Sequence, residues 1–166
     1  MGICIDEELL QRAQALSVRL RRAGRSVVTA ESCTAGLVAA VLSYGKNAAE
    51  YLHGGFVVYT KAQKTMTLGV DETLLRERGS VNGLVAAQMA EGALRRSQAS
   101  MAVSVTGVLG PDCDEDNNPP GLVIVGLARS GQPTLTAQHE FGPLDPDAVR
   151  KGTVLRALDM LSSEVD

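Results

Sequence analysis

Helical spacing of apolar side chains is the strongest pattern in the chain. From Leu9 to Leu20 they recur every three or four positions, which is typical of one buried helix face and predicts a helix over 6–23. The same spacing predicts further helical segments over 34–43, 60–68, 72–78, 84–98 and from Pro146 to about 161. Several of these segments end at a glycine, which is a common helix stop signal.

Runs rich in β-branched residues separate these helices and predict strands. The predicted strands lie over 25–30, 55–59, 101–106, 121–128 and 134–141. The turn Gly131-Gln132 between the last two is typical of a hairpin, whereas the earlier strands alternate with helices. The pattern therefore predicts an α/β fold in which a mixed sheet has helices on both faces, a three-layer α/β/α arrangement. Because no repeat, linker or low-complexity segment interrupts it, we expect a single domain over 1–166.

Composition narrows the possible functions. Hydrophobic residues make up 45% of the chain and charged residues 21%, as in a globular protein. The apolar runs are too short to span a bilayer, and the N-terminus lacks the basic and apolar regions of a signal peptide. A net charge of -3 argues against nucleic-acid binding, which needs a basic field. We therefore expect a cytoplasmic protein without membrane or nucleic-acid partners, whose cysteines (Cys4, Cys33 and Cys113) are free thiols.

The segment 27–36 joins a buried strand to a helix through a short polar turn. In that turn Glu31, Ser32 and Cys33 place a carboxylate, a hydroxyl and a thiol side by side. One interpretation is that Ser32 or Thr34 only caps the helix, which is the common use of such residues. The other is that Ser32 is a nucleophile, with an oxyanion bound by backbone N–H groups where the helix begins at Thr34.

A serine nucleophile needs a base. The two histidines, His53 and His139, lie far apart in the sequence and give little support to a Ser-His-Asp triad. A Ser–Lys pair is the alternative, with Lys61 or Lys64 as the base and Tyr59 as a proton relay or a support for the amine. Such a lysine must be buried to lose its proton near neutral pH. On spacing alone, the favoured interpretation is that both lysines are surface charges on a helix.

Neither a metal nor a cofactor is expected. Asp112, Asp114 and Asp116 have the spacing of a calcium-binding loop. However, Asn117 stands where that loop needs Gly, and Val123 stands where it needs Glu. The sequence also lacks the G-x-G-x-x-G motif of dinucleotide-binding folds.

Several short motifs, in order over nearly the whole chain, match one known family. The segment 29–36 (Thr-Ala-Glu-Ser-Cys-Thr-Ala-Gly) is similar to T-A-E-S-C-T-G-G, and 55–64 is similar to G-x-V-x-Y-S-N-x-A-K. The segment 105–111 is similar to V-T-G-I-A-G-P. Shorter matches are Leu68-Gly69-Val70, Pro119 with Gly121, and Val149-Arg150. By these motifs the chain resembles the CinA C-terminal domain family, which includes the nicotinamide-nucleotide amidases.

The resemblance implies a compact α/β/α domain that is usually oligomeric, and a small nucleotide-like substrate. For the amidase members it implies hydrolysis of nicotinamide mononucleotide to nicotinate mononucleotide and ammonia. Carried onto the matching positions, it implies Ser32 as the nucleophile, Lys64 as its base and Tyr59 as an assisting group. The positions expected to bind substrate are Thr34, Thr106, Gly107, Arg150 and Lys61.

The chain departs from the family motifs mainly where a phosphate would be held. Ala35 replaces a glycine, Asn118 a lysine and Pro146 an arginine, while Lys61 replaces an asparagine. Further departures fall at 47–49, 60, 82 and 112–114. The lost groups are small or cationic, as are the groups that bind phosphate in proteins. Two alternatives to hydrolysis of nicotinamide mononucleotide therefore remain. One is a CinA-like module without this activity that binds a nucleotide-like ligand or a protein partner, and the other is an amidase for a substrate lacking the phosphate.

Overall fold

The computed structural model describes residues 5–165, in which helices and strands alternate. The strands are β1 (Val27–Glu31), β2 (Leu52–Val57), β3 (Met101–Gly107), β4 (Leu122–Arg129) and β5 (Leu135–Glu140). The α-helices are α1 (Glu7–Arg22), α2 (Leu37–Ser43), α3 (Lys61–Gln63), α4 (Glu72–Arg78), α5 (Gly83–Arg95) and α6 (Pro146–Ser163). A 3-10 turn covers Ala48–Glu50, and a π-helical turn, Lys64–Leu68, continues α3.

The strands form one five-stranded sheet in the order β2-β1-β3-β4-β5. Strand β1 pairs in parallel with both β2 and β3. Strand β4 runs antiparallel to β3, and β5 antiparallel to β4, so the last two strands form the hairpin that the sequence predicts. The predicted mixed sheet is confirmed.

Helices cover both faces of this sheet. On one face, α1, α2 and α6 bury apolar side chains against the strands, and Leu16, Val41 and Leu158 belong to that cluster. On the other face, α4, α5 and the π-helical turn pack on the sheet through residues such as Leu75, Met89 and Leu68. The protein is therefore a three-layer α/β/α structure, as the sequence predicts.

Several element boundaries differ from the predictions by one to three residues, including those of α2 and β2. Helix α2 begins at Leu37 and not at Thr34, since residues 32–36 form a turn before it. Strand β2 covers Leu52–Val57 and not the predicted 55–59, so it includes Gly54 and has Gly55 in its interior. Gly55 pairs with Thr29 of β1 so closely that a Cβ there would lie 2.3 Å from the threonine Oγ1. Glycine thus permits the strand pairing there instead of ending the strand.

The fold brings the predicted motifs to one edge of the sheet. β1 and β3 are parallel neighbours, so the segments that follow them, beginning at Ser32 and Val108, leave from the same edge. The first segment leads towards β2 and the second towards β4, so the two diverge and leave a cleft. Open α/β sheets bind ligands in such a crevice. Within residues 5–165, none of the helices has the length and apolar content that crossing a membrane requires.

Candidate active site

Ser32 occupies the first position after β1, at the base of the cleft. Its backbone N–H donates to the carbonyl of Val105 on β3 (3.1 Å), and its carbonyl accepts from the N–H of Ala35 (3.1 Å). The turn that follows is tight, because Ala35 and Gly36 both have left-handed backbone conformations, with φ of 51° and 98°. Ser32 is therefore fixed to the sheet on one side and to a constrained turn on the other.

Lys64 reaches Ser32 from the first residue of the π-helical turn. Its Nζ lies 2.9 Å from Ser32 Oγ and 3.2 Å from each of the carbonyl oxygens of Val58 and Tyr59. The Lys64 side chain is only 1% exposed. The structure thus brings together two residues that are 32 positions apart in the sequence.

Burial of Lys64 lowers the pKa of its amine from 10.5 to about 8. A neutral amine has two N–H donors and one lone pair. The carbonyls of Val58 and Tyr59 can accept both N–H groups, which directs the lone pair towards the Ser32 hydroxyl. This arrangement suits a general base for Ser32 near neutral pH.

Tyr59 and Cys33 flank this pair in different ways. The carbonyl of Tyr59 holds the lysine amine, whereas its phenol ring is 70% exposed at the mouth of the cleft. Cys33 is buried, and desolvation raises the pKa of its thiol to about 12. A thiol with that pKa holds its proton at neutral pH and makes a poor nucleophile. The geometry thus favours Ser32 over Cys33.

A cavity of about 510 Å³ opens above Ser32 and Lys64. Its size is that of a small-molecule site. Four of the five expected substrate-binding residues line it, namely Lys61, Thr106, Gly107 and Arg150. The fifth, Thr34, is absent from the lining, and its buried hydroxyl donates to Glu31 (2.6 Å). Two larger hollows on the described surface, of about 690 and 860 Å³, contain neither Ser32 nor Lys64.

Besides Lys64, the cavity is lined by Lys61 and Arg150, and each of these two side chains is paired with a carboxylate. Arg150 Nη1 donates to Asp147 at 2.8 Å, and its buried Nε has no hydrogen-bond partner within residues 5–165. Lys61 Nζ lies 2.6 Å from Asp116 and 3.0 Å from Glu115, and these contacts raise the pKa of Lys61. Arg150 therefore keeps one buried N–H without a partner among the described residues, whereas the charge of Lys61 is compensated by two carboxylates.

The backbone N–H groups at the start of α2 are occupied and are not available to the predicted oxyanion. The N–H groups of Gly36, Val38 and Ala39 all donate to the buried carboxylate of Glu31, at 2.8–3.0 Å. No donor of that set is directed at the cleft. Glu31 had no predicted role, because capping patterns place a carboxylate at the cap or in the first turn, whereas this one precedes the helix by six residues.

The acidic loop after β3 is stabilised by its own backbone. Asp114 accepts hydrogen bonds from the N–H groups of Asp116 and Asn118 and from the Asn118 side chain. The part of the chain that the structure describes has no group of three or more His, Cys, Asp or Glu side chains suited to a metal ion. Cys33 and Cys113 are free thiols there, while Cys4 lies outside the described residues.

Comparison with known proteins connects this geometry to a family. The sequence model of the CinA C-terminal domain matches residues 9–165. The chain belongs to the CinA C-terminal domain family. Within it, nicotinamide-nucleotide amidohydrolase PncC of Escherichia coli (strain K12) is 36% identical over 156 residues, which cover 94% of both chains. A CinA-like protein of Mycolicibacterium vanbaalenii is 45% identical over 139 residues, which cover 84% of this chain but 33% of that longer protein.

Solved structures of CinA proteins have the same fold. The crystal structure of the competence/damage inducible protein CihA from Agrobacterium tumefaciens superposes with a TM-score of 0.91 at 34% identity, covering 98% of each chain. A CinA superfamily protein from Enterobacter cloacae gives a TM-score of 0.89 at 27% identity and covers 100% of this chain and 99% of its own. The resemblance that the sequence motifs indicate is confirmed along the whole CinA domain.

Proposed function

We propose that the protein is an amidohydrolase that converts nicotinamide mononucleotide to nicotinate mononucleotide and ammonia. The observation that carries the proposal is the contact of 2.9 Å between Ser32 Oγ and the buried amine of Lys64, at the base of a cavity of ligand size. The identity to a nicotinamide-nucleotide amidohydrolase over 94% of both chains supports the choice of substrate.

The reaction begins with attack of Ser32 Oγ on the carboxamide carbon, while neutral Lys64 takes the hydroxyl proton. The tetrahedral intermediate then collapses, the C–N bond breaks, and Lys64 returns the proton to the leaving ammonia. Water hydrolyses the acyl-enzyme in a second round, with Lys64 again as the base. The pKa of about 8 lets Lys64 act as base and acid in turn near neutral pH.

Backbone groups beside the nucleophile stabilise the oxyanion. The N–H groups of Cys33 and Thr34 follow Ser32 directly and are not among the donors to Glu31. In other serine hydrolases the N–H of the residue after the nucleophile has this role. Tyr59, at the mouth of the cleft, covers the substrate ring and assists proton transfer, and Arg150 binds the phosphate through its guanidinium group.

Ammonia release from nicotinamide mononucleotide tests the proposal, with the riboside and free nicotinamide assayed beside it. We expect Ser32→Ala and Lys64→Ala each to abolish turnover, and the double variant to be no worse than either, because the two groups act as a unit. Lys46→Ala is the matched control, since Lys46 is exposed and remote from the cavity lining. Activity retained in folded Ser32→Ala would refute the assignment, and no ammonia from any substrate would favour a CinA-like binding module.

The setting that we propose is the cytoplasm, with no cofactor, nucleic-acid or membrane partner. The chain would act as a homo-oligomer, and exposed Tyr44, Val57 and Met66 are candidates for subunit contacts. Light scattering of the purified protein measures the oligomeric state directly, and a monomeric mass would contradict this part of the proposal.

A further inference from the structure

Glu31 is a buried carboxylate that the proposed reaction does not use. It is the last residue of β1 and is 1% exposed. One oxygen accepts from Thr29 Oγ1 (2.9 Å) and from the Ala39 N–H (2.8 Å). The other accepts from Thr34 Oγ1 (2.6 Å) and from the N–H groups of Gly36 (3.0 Å) and Val38 (2.9 Å). Five donors therefore converge on one side chain.

All five partners are donors, so they match an ionised carboxylate, which only accepts hydrogen bonds. Three of them are the otherwise unpaired N–H groups at the beginning of α2, where negative charge is also stabilised by the helix dipole. The N-cap of α2 is Gly36, which has no side chain to satisfy them. Glu31 thus binds the start of α2 to the end of β1.

Between these two anchored ends lies the turn that carries Ser32. Within it, Ala35 and Gly36 have left-handed backbone conformations, which an unrestrained turn with alanine would avoid. The donors to Glu31 come from Thr34 and Gly36, on both sides of Ala35. The carboxylate therefore holds the turn in the conformation that sets the backbone of Ser32.

We propose that Glu31 is a positioning residue that keeps Ser32 Oγ within reach of Lys64. Successive side chains of a strand point in opposite directions, so Glu31 faces α2 while Ser32 faces the cleft. The contact of 2.9 Å between Ser32 and Lys64 is sensitive to small movements of the backbone. Displacement of a reacting group by about 1 Å costs roughly 100-fold in rate. The inference rests on the proposed role of Ser32 as the nucleophile.

The test is Glu31→Gln, which keeps the shape of the side chain but replaces one acceptor oxygen with an NH2 group that faces donors. Two measurements follow: steady-state kinetics on nicotinamide mononucleotide, and the rate at which an alkyl fluorophosphonate labels Ser32. We expect kcat and the labelling rate to fall together by about 100-fold while KM changes little. The matched control is Glu50→Gln, which removes the same charge from an exposed ion pair with Arg21 and leaves both rates unchanged.

Wild-type kcat and labelling in folded Glu31→Gln would overturn the inference. If that variant does not fold, Thr34→Val takes its place, because it removes one donor and leaves the carboxylate intact. A smaller parallel decrease in kcat and labelling is expected for it, and unchanged rates would again refute the positioning role. The labelling reaction needs no substrate, so it decides the question even if the wild type hydrolyses none of the amides tested. Absence of Ser32 labelling in the wild type would overturn both this inference and the nucleophile assignment.

Discussion

Replacing Lys64 with methionine should make stability less dependent on pH. Methionine fills a similar volume without a charge. The substitution therefore removes the proposed base and, with it, the contribution of the Lys64 amine to the pH dependence of stability. The folded protein releases the Lys64 proton near pH 8, whereas an unfolded lysine holds it up to about pH 10.5. Between these values the unfolded state binds more protons, so a rise in pH favours the folded state of the wild type.

The size of the effect follows from the two pKa values. Burying the Lys64 amine at pH 7 costs about 3 kcal/mol of folding free energy, and at pH 9.5 this cost falls to about 1 kcal/mol. The stability of the wild type relative to Lys64→Met should therefore rise by about 2 kcal/mol between these pH values. Other titrating groups are present in both proteins and cancel in this comparison.

Urea denaturation of both proteins at pH 7 and pH 9.5 measures the four free energies of unfolding that are needed. Lys46→Met is the control, because Lys46 is exposed and its substitution should leave the pH dependence of the wild type intact. A stability difference between wild type and Lys64→Met that is the same at both pH values would refute the reasoning. It would mean that Lys64 stays protonated in the fold and cannot serve as the base.

Four further predictions concern the site. Below the Lys64 pKa of about 8, kcat/KM for ammonia release should rise about tenfold per pH unit, and above that pH it should level off. A kcat/KM that does not change with pH would contradict a lysine base. Measured by calorimetry, Arg150→Ala should weaken binding of nicotinamide mononucleotide by about 1–3 kcal/mol and binding of the riboside much less. Equal losses of binding free energy for the two ligands would place Arg150 away from the phosphate. Ala35→Gly should leave the thermal midpoint unchanged or higher, because it removes the left-handed alanine (φ 51°); a clear decrease would contradict this. Cys33→Ala should retain activity in the ammonia assay, because its buried thiol stays protonated, and an inactive folded variant would reopen the choice of nucleophile.

The order of elements could be predicted because each carries a local signal. The apolar periodicity of α1 and α5 and the β-branched runs of β1, β3 and β4 do not depend on distant residues. The start of α2 could not be predicted in the same way. It is set by Glu31, whose side chain reaches forward from a strand to cap the helix, and this carboxylate lies upstream of the usual capping pattern.

The candidate site was predictable only through the family motifs. Spacing alone favours a surface lysine, and only the three-dimensional fold buries Lys64 against Ser32. The pairing of Lys61 with Asp116 joins residues 55 positions apart, so no local pattern reveals it. Long-range contacts between loops are set by the packing of the layers, and the sequence around each loop carries little information about them.

The carboxylates that hold Lys61 change how anion binding at the cleft responds to ionic strength. Lys61 and Asp116 are partly exposed, and Glu115 is 73% exposed, so dissolved ions can screen these contacts. Screening weakens the attraction between Arg150 and a phosphate, but it also weakens the competition of Glu115 and Asp116 for Lys61. Because an exposed pair contributes only about 0–1 kcal/mol, an arriving dianion can displace Glu115 from Lys61. The two effects of added electrolyte oppose each other, so binding of an anionic ligand should depend less steeply on ionic strength than attraction to Arg150 alone would make it.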